Sequence, residues 1–216
     1  CIESNTTVGL VGSTGAGKTT LVDIILGLLE PKKGLITVDS IKINQKNSQI
    51  WQRKLGYVPQ SIFLLDDTIK RNIAFSASGN QINDERIIEV AKMANLHQFI
   101  TTLDEGYNSK VGERGVRLSG GQIQRIGIAR ALYNNPEVLI LDEATSALDG
   151  VTENAVMDAI HNLSNKKTII MIAHRLSTIK ECDVVYFLDK GKIVDSGSYN
   201  ELIRSNQKFK EMSNML

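Results

Sequence analysis

The sequence predicts an α/β fold with a mostly parallel sheet, a small antiparallel β subdomain and an inserted α-helical subdomain. Three observations predict it. Short apolar runs bounded by Gly, Pro or Asp alternate with helical patterns. A Gly-rich loop, residues 12–19, joins the first such run to the first helix. From about Thr68 to about Tyr133 the alternation stops and helical periodicity replaces it.

In chain order, Val8 to Val11 is a short apolar strand, within a segment that looks extended from Thr6. Lys18 to Leu29 reads as a helix ended by Pro31 and Gly34. Leu35 to Val38 and Ile41 to Ile43 suggest a small hairpin, and Leu55 to Val58 a strand stopped by Pro59. The segment Thr68 to Thr101 turns helical, with Ile87, Val90, Ala91 and Ala94 on one face. A charged, Gly-containing loop follows, Gly106 to Gly115. Ser119-Gly120-Gly121 then opens a helix to about Tyr133. Val138 to Leu141 is a buried strand between Pro136 and Asp142. Val151, Ala155, Val156, Ala159, Ile160 and Leu163 make the apolar face of another helix. Thr168 to Ile172 and Val184 to Leu188 are strands, the second turning at Lys190-Gly191 into Lys192 to Val194. Tyr199 to Leu216 reads as helical. The expected division is a core of residues 1–67 and 136–216, with the helical subdomain at 68–135.

The 216 residues suffice for one substantial core. A formal net charge of +1 implies no broad basic surface, so nucleic acid is not an expected partner. No apolar run approaches the roughly 20 residues that span a bilayer. Cys1 and Cys182 have no metal-ligand spacing and read as free thiols. No signal peptide opens the chain, which starts at Cys1 already close to a strand. We therefore expect a piece of a longer polypeptide.

Gly12-Ser13-Thr14-Gly15-Ala16-Gly17-Lys18-Thr19 fits G-x-x-x-x-G-K-[ST] in full, and Thr20 follows on the same helix. Its glycines let the backbone turn tightly and approach a phosphate. Successive N–H groups then face one anion-binding hollow, to which the helix N-terminus adds positive potential. Lys18 is expected at the β- and γ-phosphates, and the Thr19 hydroxyl on Mg²⁺. Val138 to Glu143 is a strand ending in two acids. Asp142 can hold Mg²⁺, and Glu143 can orient or deprotonate an attacking water. Alone, that run is more often an ordinary acidic turn; downstream of a phosphate loop the functional reading wins. Leu118-Ser119-Gly120-Gly121-Gln122 is a second helix start able to bind an anion. One nucleotide needs one phosphate loop, so the second start either serves another molecule's nucleotide or is an ordinary cap.

Together these stretches, over essentially the whole chain, resemble the nucleotide-binding domain of ABC transporters. The phosphate loop, Leu118 to Gln122 and the run Ile140 to Asp149 match the family's diagnostic stretches in order. Gln60 resembles its Q-loop glutamine and His174 its switch histidine. The resemblance implies a P-loop ATPase core using ATP and Mg²⁺, with Thr19, Gln60 and Asp142 at the metal. Glu143, His174 and Gln60 would be the catalytic residues. It also implies a second copy of the domain packed head to tail, with Leu118 to Gln122 and Asp149 acting in trans. A transmembrane domain of the same polypeptide would hold the domain at the cytoplasmic face of the membrane. The loop Lys110 to Gly115 resembles the exporter-type X-loop. Leu21 to Leu29, with Ile62 to Asp67, resembles the glycan-exporting group, nearest the PglK-type flippases of lipid-linked oligosaccharides. The family's adenine-stacking aromatic would precede Cys1, and Ile123 stands where Arg or Lys is common. Two alternatives remain open: a soluble ABC-type ATPase acting on ribosomes or DNA, and a non-hydrolysing regulatory module.

Overall fold

The computed structural model describes residues 1–75, 77, 82–143, 150–164, 166–172 and 176–213. Strand β1, Thr7–Gly12, is buried along its length and leads through the phosphate loop into helix α1, Lys18–Ile25. The helix is shorter than the expected Lys18 to Leu29. Gly27 takes φ 68°, a left-handed conformation that ends helices readily, and Leu28 and Leu29 turn out to solvent. Strands β2, Ile36–Val38, and β3, Ile41–Ile43, form the expected separate antiparallel hairpin. Its turn residues Asp39 and Ser40 both have positive φ, the type I′ geometry that matches strand twist.

Helix α2, Ser48–Gln52, carries no marked apolar periodicity and was not anticipated. It caps α1: Trp51 Nε1 donates to the Ile25 carbonyl at 2.7 Å, and Gln52 Nε2 donates to that of Leu26 at 3.2 Å. These side chains take up carbonyls that a helix C-terminus leaves without partners. Strand β4, Leu55–Val58, follows.

Among the described residues, the expected helical stretch from Thr68 to Thr101 holds three helices: α3, Ile69–Ile73; α4, Asp84–Met93; and α5, His97–Thr101. Local caps cut it. Thr68 Oγ1 accepts from the Arg71 amide, and Asn83 Oδ1 accepts from that of Arg86. Asn95, at φ 51°, turns the chain between α4 and α5. Helix α6, Gly120–Tyr133, starts with a reciprocal capping box between Ser119 and Gln122. Strand β5, Val138–Asp142, is followed by α7, Gly150–His161, β6, Thr168–Ile172, and the unanticipated short α8, Leu176–Lys180. Strand β7, Val184–Asp189, turns through Lys190 and Gly191 into β8, Lys192–Gly197. The last expected helix is two, α9, Tyr199–Ser205, and α10, Gln207–Ser213. The break falls at Asn206, whose side chain binds Asp195 and caps α10 at Phe209.

The main sheet has the order β4-β5-β6-β1-β7-β8, parallel except for the β7–β8 hairpin at one edge. Along β5 and β6, side chains alternate between two apolar clusters, as a strand's twofold period requires. Leu139, Leu141, Ile169 and Met171 face α6, α7 and the C-terminal helices. Ile140, Ile170 and Ile172 face Val22 of α1 and Leu26, its C-cap. With both faces covered, the carboxyl ends of the strands are where a ligand can reach the sheet.

Candidate nucleotide-binding and catalytic site

The loop after β1 carries the predicted phosphate-binding residues. Gly12 closes the strand, and no larger residue fits: a Cβ there would lie 2.3 Å from the Leu188 carbonyl oxygen. Ser13, Thr14 and Gly15 are exposed, Ala16 is buried, and Gly17, at φ 101°, is the N-cap of α1. Thr19 and Thr20 are exposed in the first helical turn. A buttress missed in the sequence holds the loop from behind. The Gly191 amide, in the β7–β8 turn, donates to the Ala16 carbonyl at 2.9 Å.

Lys18 is buried, and its ammonium donates to the carbonyls of Gly12 at 2.7 Å and Ser13 at 3.1 Å. The cation therefore lies inside the curl of the loop. Burial lowers its pKa, while the nearby carboxylates of Glu143 and Asp142 work the other way. Those carboxylates come from β5, two strands from β1.

Asp142 is the buried last residue of β5. Tyr57, on the adjacent β4, donates from its hydroxyl to Asp142 Oδ2 at 3.3 Å. Burial raises the phenol's pKa to about 12, reinforced by the charge and hydrogen bond of Asp142 and by the charge of Asp23 on α1. At neutral pH the phenol thus stays a donor. Glu143 follows with φ 50°, a left-handed backbone that costs a residue with a Cβ about 1–2 kcal/mol. Its amide donates to the Ile172 carbonyl at 3.2 Å, and Gln60 Nε2 donates to its Oε2 at 2.6 Å. Gln60, two residues beyond β4, is thereby joined to a residue 83 positions away.

The structure thus brings Lys18, Asp142, Glu143 and Gln60 together at the carboxyl ends of the parallel strands. Tyr57 belongs to this group, and no local signal in the sequence marks it. Leu118 to Gln122 open α6, where Ser119 and Gln122 cap one another and Gly120 stands clear of neighbouring atoms. Asp149 and His174 lie outside the described residues, as does the run from Ala144 to Asp149.

A divalent cation suits the donor set. The Thr19 hydroxyl, the Gln60 amide oxygen and the Asp142 carboxylate are hard oxygen donors. They are too few for an all-protein cage, which is the usual situation for Mg²⁺ held jointly with substrate phosphates. Among the described residues no cluster of three or more His, Cys, Asp or Glu side chains offers an alternative metal centre.

Known proteins resemble this chain along nearly all of its length. Residues 1–146 match the family model described as "ABC transporter". The heterocyst differentiation ATP-binding protein HepA of Nostoc sp. is 48% identical over 208 residues, covering 96% of this chain and 34% of its own length. The β-(1→2)glucan export ATP-binding/permease protein NdvA of Bartonella bacilliformis is 45% identical, with 96% and 35% covered. P-glycoprotein 14 of Caenorhabditis elegans is 45% identical, with 96% and 16% covered. The chain therefore spans about a third or less of these relatives. A solved bacterial Atm1-family ABC exporter with ATP bound superposes with a TM-score of 0.89 at 38% identity, covering 99% of this chain and 37% of that one. On this fold, site and likeness, the chain belongs to the ABC transporter family, as an ATPase domain of the exporter type.

Proposed function

We propose that this domain is the motor of an ABC exporter or flippase, driven by ATP hydrolysis between two copies packed head to tail. One observation carries the catalytic part: the Lys18 ammonium, the carboxylates of Asp142 and Glu143 and the Gln60 amide share one strand-end site. The amides of residues 13–19 and Lys18 would hold the β- and γ-phosphates. Glu143 would orient the attacking water and accept its proton, and Gln60 would leave Glu143 to face the metal and the water. Bound Mg²⁺ would neutralise phosphate charge from Thr19, Gln60 and Asp142. His174 would contact the γ-phosphate. Most of the rate gain in such a site is positioning and electrostatics.

For the second copy, the support is the open start of α6. Its Ser119 cap, exposed Gly120 and helix N-terminus are chemically suited to a partner's γ-phosphate, with Leu118, Gly121, Gln122 and Asp149 beside it. For a transmembrane domain of the same polypeptide, the support is the length of the relatives and the loop Lys110 to Gly115. That loop pairs with the segment before α3 through Val111 to Asp67 and Ile69 to Ser109, and leaves Val116 80% exposed. No helix among the described residues is long and apolar enough to cross a membrane. The domain would work at the cytoplasmic face of the membrane, with residues 68–135 as a unit distinct from the core of 1–67 and 136–216. For cargo we propose a lipid-linked glycan or similar amphiphile; the support is the glycan-exporter resemblance and one relative named for glucan export.

Phosphate release and ATP binding test the motor. Lys18→Ala should weaken ATP binding about a hundredfold or more, since a buried phosphate charge loses its partner. Glu143→Gln should bind ATP normally and release phosphate at least about a hundredfold more slowly. Unchanged affinity in the first would overturn the site, and a wild-type rate in the second would overturn Glu143 as base. In liposomes holding the full polypeptide, ATP-dependent translocation of a lipid-linked oligosaccharide is expected. Its absence, with turnover intact, would overturn the cargo and leave the motor standing.

A further inference from the structure

We infer that Tyr57 is a positioning residue that sets the Asp142 carboxylate for the divalent cation. The inference rests on the ATP-site reading above. Strands β4 and β5 run parallel with Tyr57 opposite Ile140. Side chains two apart share a face, so Asp142 lies diagonally ahead of Tyr57 on that face. Same-face diagonal neighbours sit about 7–8 Å apart, a gap that an aromatic side chain spans. The phenol does so, and its hydroxyl reaches Asp142 Oδ2 at 3.3 Å. That length is long for an O–H···O bond, so it steers the carboxylate's rotation rather than clamping it.

The ring is only partly covered. It stands on the sheet face covered by α1, on the side of the cluster that includes Val22 and Ile140. It remains 38% exposed, so its edge borders the site and solvent together. Asp142 also feels the Lys18 ammonium. The phenol therefore approaches this carboxylate from the β4 side, while Lys18 attracts it from the phosphate loop. Tyr57 thus acts on metal binding and leaves the phosphate-binding amides untouched. Phenylalanine at this position keeps the ring's packing and removes only the donor.

The experiment uses the domain in a Glu143→Gln background, which holds nucleotide without turnover. Binding of a fluorescent ATP analogue is measured in EDTA. Binding of Mn²⁺ to the nucleotide-saturated protein is then followed by electron paramagnetic resonance. Tyr57→Phe should keep its EDTA affinity within twofold and lose about three- to tenfold in Mn²⁺ affinity, the worth of one hydrogen bond of ordinary strength. An unchanged Mn²⁺ affinity would overturn the inference. An equal loss of ATP affinity in EDTA would also overturn it, since Tyr57 would then act on the loop. Lys18→Ala in the same background separates the two levels: normal ATP binding there would remove the ATP-site reading itself, whatever Tyr57→Phe does.

Discussion

Asn72→Ala should be among the most costly single substitutions outside the apolar core. Asn72 has none of its surface exposed. Its Oδ1 accepts from the Leu65 amide at 2.9 Å and from Arg130 Nη2 at 3.2 Å. Its Nδ2 donates to the carbonyls of Leu65 at 3.0 Å and Thr68 at 3.1 Å. Arg130, on α6, also donates to the carbonyls of Asn72 and Phe63, both at 2.9 Å. One buried amide therefore ties the segment after Gln60 to α3 and α6. Alanine removes four side-chain hydrogen bonds, each worth about 0.5–1.5 kcal/mol net. Leu65 is exposed enough for water to repair part of the loss, and the Arg130 bonds to backbone survive. The expected cost is about 3 kcal/mol, or a Tm lower by about 6–12 °C for a chain of this size. Asn72→Asp keeps the acceptor half and gains charge opposite Arg130, but turns an oxygen toward two carbonyls, so it should fall between wild type and Asn72→Ala. Urea unfolding of the three proteins checks the order. A loss below about 1 kcal/mol in Asn72→Ala would refute the view that this amide is a junction.

Three further outcomes are expected. Gly12→Ala should destabilise by about 1–3 kcal/mol and weaken ATP binding, because its new methyl meets the rigid Leu188 carbonyl; unfolding and nucleotide titration measure both. Gly127→Ala gains about 1 kcal/mol of helix propensity, but its Cβ would lie 2.2 Å from Ile62 Cδ1, so it should be neutral to destabilising alone. With Ile62→Ala added it should become stabilising relative to Ile62→Ala, which a double-mutant cycle reads. In native protein a thiol reagent should label Cys1 and spare buried Cys182, labelling both only after unfolding. Burial, then Asp183 and Glu181, push the Cys182 thiol from 9.0 up to about 12. Its folded form keeps a proton that the unfolded chain releases. This contribution is whole below about pH 9 and declines as pH rises toward 12, so Cys182→Ala should flatten the alkaline fall in stability.

Much of the site was readable because its chemistry is local. The phosphate loop needs consecutive residues between a strand and a helix. The Ser119–Gln122 box is a four-residue pattern. Both acids of Asp142-Glu143 sit at the end of an apolar run. Pairings across the sheet were not readable. Nothing near Tyr57 or Gln60 says that β4 lies beside β5, because that adjacency is set by packing some 80 positions apart. Helix ends also escaped pattern reading. Leu28 and Leu29 continue an apolar run, yet Gly27 ends the helix before them, and Asn83, Asn95 and Asn206 cut longer helical patterns by local hydrogen bonding or backbone conformation. Short α2 and α8 had too few residues for a period to show.

The junction between α1 and α2 gives the domain a built-in optical probe. Trp51 is its sole tryptophan, and the indole donates to the last turn of the helix whose first residue is Lys18. Indole emission depends on that hydrogen bond and on the wetness of the half-buried ring. Any tilt or lengthening of α1 at the phosphate end must pass along a rigid rod about 12 Å long to this joint. Unlabelled protein can therefore report loop rearrangement as a change in colour or brightness of one fluorophore, placed at the end of α1 opposite Lys18.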